Sequence, residues 1–182
     1  MKECYQMESQ SVYEHGESVR NHLFDLLDHL RSGSSLKYEW KLPQWLYDNK
    51  DKILNSLPSD YILSNYTLYH DCGKPFCFYK DESGRNHFPD HVRISYDVYK
   101  KVFNVGVDDV VSYLILHDMD IHLLKSAGVE EFSKLPYNLT LILVGLAEIH
   151  SNSKLFGGLE STSFKIKWKN IDQRTKKLFK LL

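Results

Sequence analysis

Tyr69-His70-Asp71-Cys72-Gly73-Lys74-Pro75 (YHDCGKP) is the stretch on which the reading of this 182-residue chain turns. Upstream, Ile62, Leu63 and Tyr66 recur at helical spacing behind Pro58-Ser59-Asp60, which supplies a helix cap. The helix therefore arrives at Tyr69-His70, and Gly73 breaks it. Consecutive helical residues point about 100° apart. His70 faces inward with Leu63 and Tyr66, while Asp71 leaves the helix end in another direction. Two good metal ligands can then approach one ion from two sides, with Lys74 on the exit loop.

The same helical period extends outward in both directions. Val19, Leu23, Leu26, Leu27 and Leu30 form one stripe, ended by Gly33 and its flanking serines. Residues 43–56 predict a second helix, Pro89 to about Phe103 another, Asp108-Asp109 opens the next, and residues 136–150 predict a long apolar helix. Gly157-Gly158 stops that pattern, and residues 169–182 predict one more amphipathic helix. Residues 76–88 predict a loop or short hairpin turning at Asp81-Glu82-Ser83-Gly84, and strand signals are confined to 76–80 and 163–168. The expectation is an all-α, compact single-domain helical bundle of about six to eight helices. Its core covers about 12–155, with 156–182 as a basic C-terminal extension packed on or beside that core.

Composition narrows the function classes. Basic and acidic residues balance at 23 against 24, so no global field directs the chain to nucleic acid or membrane. From Lys154 onward basic residues face Glu160 and Asp172 alone, which predicts a solvated amphipathic face more readily than a phosphate-binding patch. Three cysteines, Cys4, Cys72 and Cys77, make no disulfide framework and argue for a reduced, cytoplasmic setting. No apolar run is long enough for a signal peptide or a membrane span. Trp40, Trp45 and Trp168 are candidate anchors for a homodimer interface.

Nine histidines are the unusual feature. His22, His70, His91, His117 and His150 each fall on the apolar face of a different expected helix. One such histidine is ordinarily a satisfied core residue. Five must each find a partner or bear the cost of desolvation, and a metal centre satisfies several at once. Imidazole with carboxylate suits Mn, Fe, Co, Ni or Zn better than Ca. His87 precedes Phe88-Pro89 and so lies outside the helix that carries His91; His29, two turns beyond His22, is too distant to share its ion. Asp120 and His122 fall past a helix end, on the rim.

This pattern resembles the HD-domain metal-dependent phosphohydrolases. It is most similar to the HD domain attached to bacterial CCA-adding tRNA nucleotidyltransferases. The segment His70-Asp71-Cys72-Gly73-Lys74-Pro75, then Gly84-Arg85, then Phe88-Pro89-Asp90-His91 carries the likeness, which spans roughly residues 12–155. Glu17-Ser18-Val19-Arg20-Asn21-His22 resembles the family's first ligand segment. The resemblance implies His22 as first ligand, His15 as an extra histidine before it, and Leu116-His117 as the later histidine. The family closes its ligand set with an aspartate. Here Leu146-Ala147-Glu148-Ile149-His150 stands in that place, with His150 aligned to the aspartate and Glu148 as the competing candidate. The nucleotide-adding domain of the tRNA enzymes is absent from this sequence.

By this resemblance His22, His70, Asp71 and His150 would hold one divalent ion, and His91 and His117, with Asp118, a second; Mg is possible beside the transition metals. Asp71, Lys74, His91 and His117 would be catalytic, with a metal-activated water as nucleophile. His15, Arg20, Lys74, Arg85 and Arg93 would contact substrate, Lys74 by neutralising a phosphate oxygen. The implied activity is phosphate-ester hydrolysis on nucleotides or RNA ends, as a phosphatase or 2′,3′-cyclic phosphodiesterase. A nuclease on single-stranded nucleic acid, and an HD fold kept as a binding module, are the alternatives.

Overall fold

The computed structural model describes residues 1–7 and 10–182, and the chain is all-α. Strands β1 (Tyr5–Met7) and β2 (Gln10–Ser11) lead into α1 (Val12–Ser32), followed by α2 (Gln44–Asp48), α3 (Lys50–Ser56), α4 (Asp60–Tyr69) and α5 (Lys74–Cys77). Strands β3 (Tyr79–Lys80) and β4 (Asn86–His87) precede α6 (His91–Phe103), α7 (Val110–Leu116), α8 (Asp120–Leu123), α9 (Val129–Ser133), α10 (Asn138–Ser151) and α11 (Thr162–Leu178). Among the described residues, no helix is long and apolar enough to cross a membrane.

The chain packs as two compact units, each assembled from two separated segments. Met1–Arg20 joins Ser59–Met119, and Asn21–Pro58 joins Asp120–Leu182. The first border falls inside α1, so no linker marks it. Residues 156–182 fall within the second unit. Phe164, Ile171 and Leu178, seven residues apart on α11, are buried in the second unit. The strand expected at 163–168 is the first half of α11, started by Ser161, whose hydroxyl accepts from the Phe164 N–H at 3.1 Å.

In the first unit, α7 packs on both α4 and α6, and α5 packs on α6. Asp109 caps α7 by accepting from the Ser112 N–H at 2.7 Å. Leu63, Tyr66, Tyr99, Leu114 and Ile115 fill the space between these helices. Helix α6 starts at His91 and not at Pro89, because Asp90 takes a left-handed φ of 52° that a helix cannot continue. The loop expected after Pro75 is helical through Cys77. The hairpin then turns as expected, with the Asp81 carboxylate accepting from the Ser83 and Arg85 amides and Gly84 at φ 79°. His87 lies in β4, outside α6.

Two glycines bring helices onto α4 and its exit turn. A Cβ on Gly16 would sit 2.4 Å from the Leu68 carbonyl oxygen, so only glycine lets α1 lie against α4 there. A Cβ on Gly73 would sit 2.3 Å from the Ser95 nitrogen, and the Gly73 N–H donates to the Ser95 hydroxyl at 2.9 Å. His15 directly precedes Gly16 on α1, and His91 lies one turn before Ser95 on α6.

In the second unit α10 is buried along nearly its whole length, packed by α3, α8 and α11. Trp45 is 4% exposed and belongs to this core, where it packs on Phe179 at 5.8 Å between ring centres. It is therefore no surface anchor. Trp40 and Trp168 are half-buried, their indole N–H groups donating to Asp25 and to the Lys41 carbonyl at 3.0 and 2.6 Å.

Candidate metal centre

The YHDCGKP turn places Asp71 at the centre of a buried polar cluster in the first unit. His70 caps the C-terminal end of α4, and its Nδ1–H donates to the Thr67 carbonyl at 2.8 Å. That bond turns Nε2 inward, where it lies 3.2 Å from Asp71 Oδ2 and 3.3 Å from His15 Nε2. His15 Nε2 is itself 3.7 Å from Asp71 Oδ2. From the other side, His91 donates Nδ1–H to the Phe88 carbonyl at 3.0 Å and points Nε2 at Asp71 Oδ1, 3.7 Å away. Three imidazoles on α1, α4 and α6 thus converge on one carboxylate. Two of them have their tautomer fixed by a backbone carbonyl, the arrangement that orients metal-ligating histidines.

Lys74 completes the cluster. Its ammonium lies 2.5 Å from Asp71 Oδ2, donates to the Gln6 side-chain oxygen at 2.9 Å, and sits 5.3 Å above the Phe88 ring. His15, His70 and Asp71 are all at most 3% exposed. Burial alone would raise the Asp71 pKa, but Lys74, His70 and His15 outweigh it and hold the carboxyl well below the usual range. Asp71 is thus an anion surrounded by three imidazoles and the Lys74 ammonium.

The first ligand is a correction. The sequence reading takes His22 as the ligand and His15 as a substrate contact, yet His15 is the α1 histidine against His70 and Asp71. His22 belongs to the second unit, where its ring stacks on Tyr38 at 4.0 Å and meets Trp40 edge-on at 5.7 Å. His150 is a second correction. Its Nδ1–H donates to the Leu146 carbonyl at 2.7 Å, and its Nε2 accepts from the Lys41 N–H at 3.1 Å. Both nitrogens are engaged by backbone, leaving no lone pair for an ion. Burial beside Trp40 and Phe164 pushes this imidazole down to about 4, so it is neutral. Glu148, the competing candidate, pairs with His122 at 2.8 Å in the second unit.

The remaining expected residues also belong to the first unit. His117 ends α7 with its ring 4.4 Å from Tyr113. Asp118 is buried and accepts from the Tyr66 hydroxyl at 2.6 Å, one turn before His70 on α4. Arg20 is half-buried, 3.8 Å from Glu17. Arg85 is exposed in the β3–β4 turn, and Arg93 is exposed on α6 with Asp97 at 3.3 Å. Burial, then the Asp71 charge, push the Cys72 thiol up to about 12, and the thiol donates to the Ser95 carbonyl. Gln6 touches this cluster through Lys74 without having been singled out by the sequence, since it falls in no metal-ligand pattern.

Compared with models of known protein families, with characterised proteins and with solved structures, the chain matches none.

Proposed function

We propose that this chain is a metal-dependent phosphohydrolase of the HD type, acting on phosphate esters of nucleotides or RNA ends. One observation carries the reading: the Nε2 atoms of His15 and His70 and the ionised Asp71 carboxylate meet within 3.2–3.7 Å of one another, at a buried point. The donor set fits the group. Two imidazole nitrogens and a carboxylate suit Mn, Fe, Co, Ni or Zn, and the backbone bond at His70 Nδ1 is the outer support such a ligand has. His15, His70 and Asp71 would hold the ion, with His91 facing the second carboxylate oxygen. A divalent ion bound there supplies Lewis-acid activation of water and of the phosphoryl group.

The chain's own residues do the rest. Lys74 lies beside the carboxylate with three donors, and it neutralises a phosphate oxygen as charge builds up. His91, about a quarter exposed and anchored through Nδ1, presents Nε2 to exchange a proton with substrate or leaving group. The three free cysteines suit a reducing, cytoplasmic compartment.

The test is to purify the protein and load it in turn with Mn, Co, Ni, Zn and Mg. Phosphomonoesters, deoxynucleoside triphosphates and 2′,3′-cyclic nucleotides are then screened for hydrolysis. Turnover with at least one metal, abolished by Asp71→Ala, is the expected result. A folded, metal-loaded protein that hydrolyses none of them overturns the proposal.

A further inference from the structure

Beside the cluster, the first unit carries aromatic surface that the proposed chemistry does not use. Lys74 sits over the Phe88 ring at 5.3 Å, and Phe88 in turn packs against Phe78 at 5.6 Å. Phe78 is 40% exposed, and Phe76, two residues after Lys74, is 71% exposed. Next along the hairpin, Tyr79 is half-exposed and stacks flat on His87 at 5.0 Å and 15°. A run of large flat rings therefore leads away from the Lys74 ammonium that contacts Asp71. Exposed aromatic rings of this density cost solubility, and here they start at the proposed phosphate position.

We infer that Phe78 and Phe88 form a base-stacking ledge, and that the substrate of this site is a nucleotide whose base lies on that ledge while its phosphate meets Lys74. The inference rests on the reading of the cluster as a phosphoryl site. Flat π-faces accept any nucleobase by stacking, and each stacked base contributes enough to be measured by alanine substitution. The ligand class is accordingly any nucleotide, and sugar phosphates without a base are excluded. Lys74 is suited to both parts, since an ammonium over an aromatic face and beside a phosphate uses both of its attractions.

The experiment measures equilibrium binding of adenosine 5′-monophosphate, ribose 5-phosphate and a short oligoadenylate to the metal-free and Mn-loaded protein. Adenosine 5′-monophosphate should bind about 5- to 100-fold more tightly than ribose 5-phosphate. Phe78→Ala should erase that difference and Phe78→Trp should keep it, with circular dichroism verifying that both variants fold. Tighter binding of the oligoadenylate than of the mononucleotide assigns the ledge to a strand end, and equal binding assigns it to a free nucleotide. Equal affinity for the nucleotide and the sugar phosphate overturns the ledge, as does Phe78→Ala weakening both alike. The two readings fail separately: hydrolysis indifferent to the base leaves the metal site and removes the ledge. Base-dependent binding without hydrolysis does the reverse.

Discussion

His70 and His150 are alike in nearly every property that a sequence displays. Each is buried, each ends a helix or nearly so, and each donates Nδ1–H to a backbone carbonyl, at 2.8 and 2.7 Å. They differ at Nε2. In His150 that nitrogen accepts a backbone N–H from Lys41, in a pocket of Trp40 and Phe164. In His70 it faces another imidazole and an ionised carboxylate. One second nitrogen is taken up by a backbone donor, and the other faces groups that could share an ion with it. Burial of a histidine therefore identifies no ligand; the partner of its second nitrogen decides whether it is a candidate.

The largest expected effect of this difference is on catalysis. Lys74→Ala removes the cation beside the reacting phosphate, and kcat should fall about 100- to 1,000-fold in a steady-state phosphate-release assay. Trp168→Phe in the second unit should leave kcat unchanged. Equal losses in both variants would break the comparison.

Next comes the pH dependence of stability, which belongs to the His150 environment. The folded-state pKa of about 4 lies below the ordinary 6.5, so between these values the unfolded chain takes up a proton that the folded chain refuses. The His150 contribution is complete above pH 6.5, is lost as pH falls through the window to 4, and is constant below it. The loss is roughly 3 kcal/mol across the window. Urea unfolding of the wild type and of His150→Gln between pH 7 and 4 measures it, and the variant should show a flatter profile. Identical profiles would show that His150 is not held neutral.

Gly73→Ala tests the approach of α6 to the turn. Its new Cβ meets Ser95 backbone, which cannot swing aside as a side chain can, and about 1–3 kcal/mol of stability should be lost. Thermal unfolding measures the loss. His91 should also move off Asp71, so activity should drop even in the folded fraction. The smallest effect is that of Trp168→Phe on stability, about 1 kcal/mol for the bond to the Lys41 carbonyl.

The helices themselves were legible because their apolar residues recur at helical spacing, and α4, α6, α7 and α10 lie close to where that spacing puts them. Alternation in Ser163–Trp168 imitated a strand. The Ser161 cap and the seven-residue spacing of Phe164, Ile171 and Leu178 override it. The centre of the candidate site was legible too, since His70, Asp71, Lys74 and His91 lie in one short segment. Its first histidine was not. His15 and His22 are seven residues apart and share a face of α1, so periodicity cannot choose between them. The choice is made by Gly16, whose missing Cβ admits the Leu68 carbonyl. The role of His150 was hidden for a different reason: its decisive partner, Lys41, is 109 residues away and contributes only a backbone N–H. No side-chain pattern encodes such a bond.

The central claim is that His70, with His15 and Asp71, belongs to a metal centre and His150 does not. Titration calorimetry of Mn into metal-stripped wild type, His70→Ala and His150→Gln tests it directly, with circular dichroism confirming that each protein is folded. The account predicts that His150→Gln binds as the wild type does and that His70→Ala loses about 100-fold or more in affinity. Wild-type affinity in folded His70→Ala, or its loss in folded His150→Gln, would contradict it.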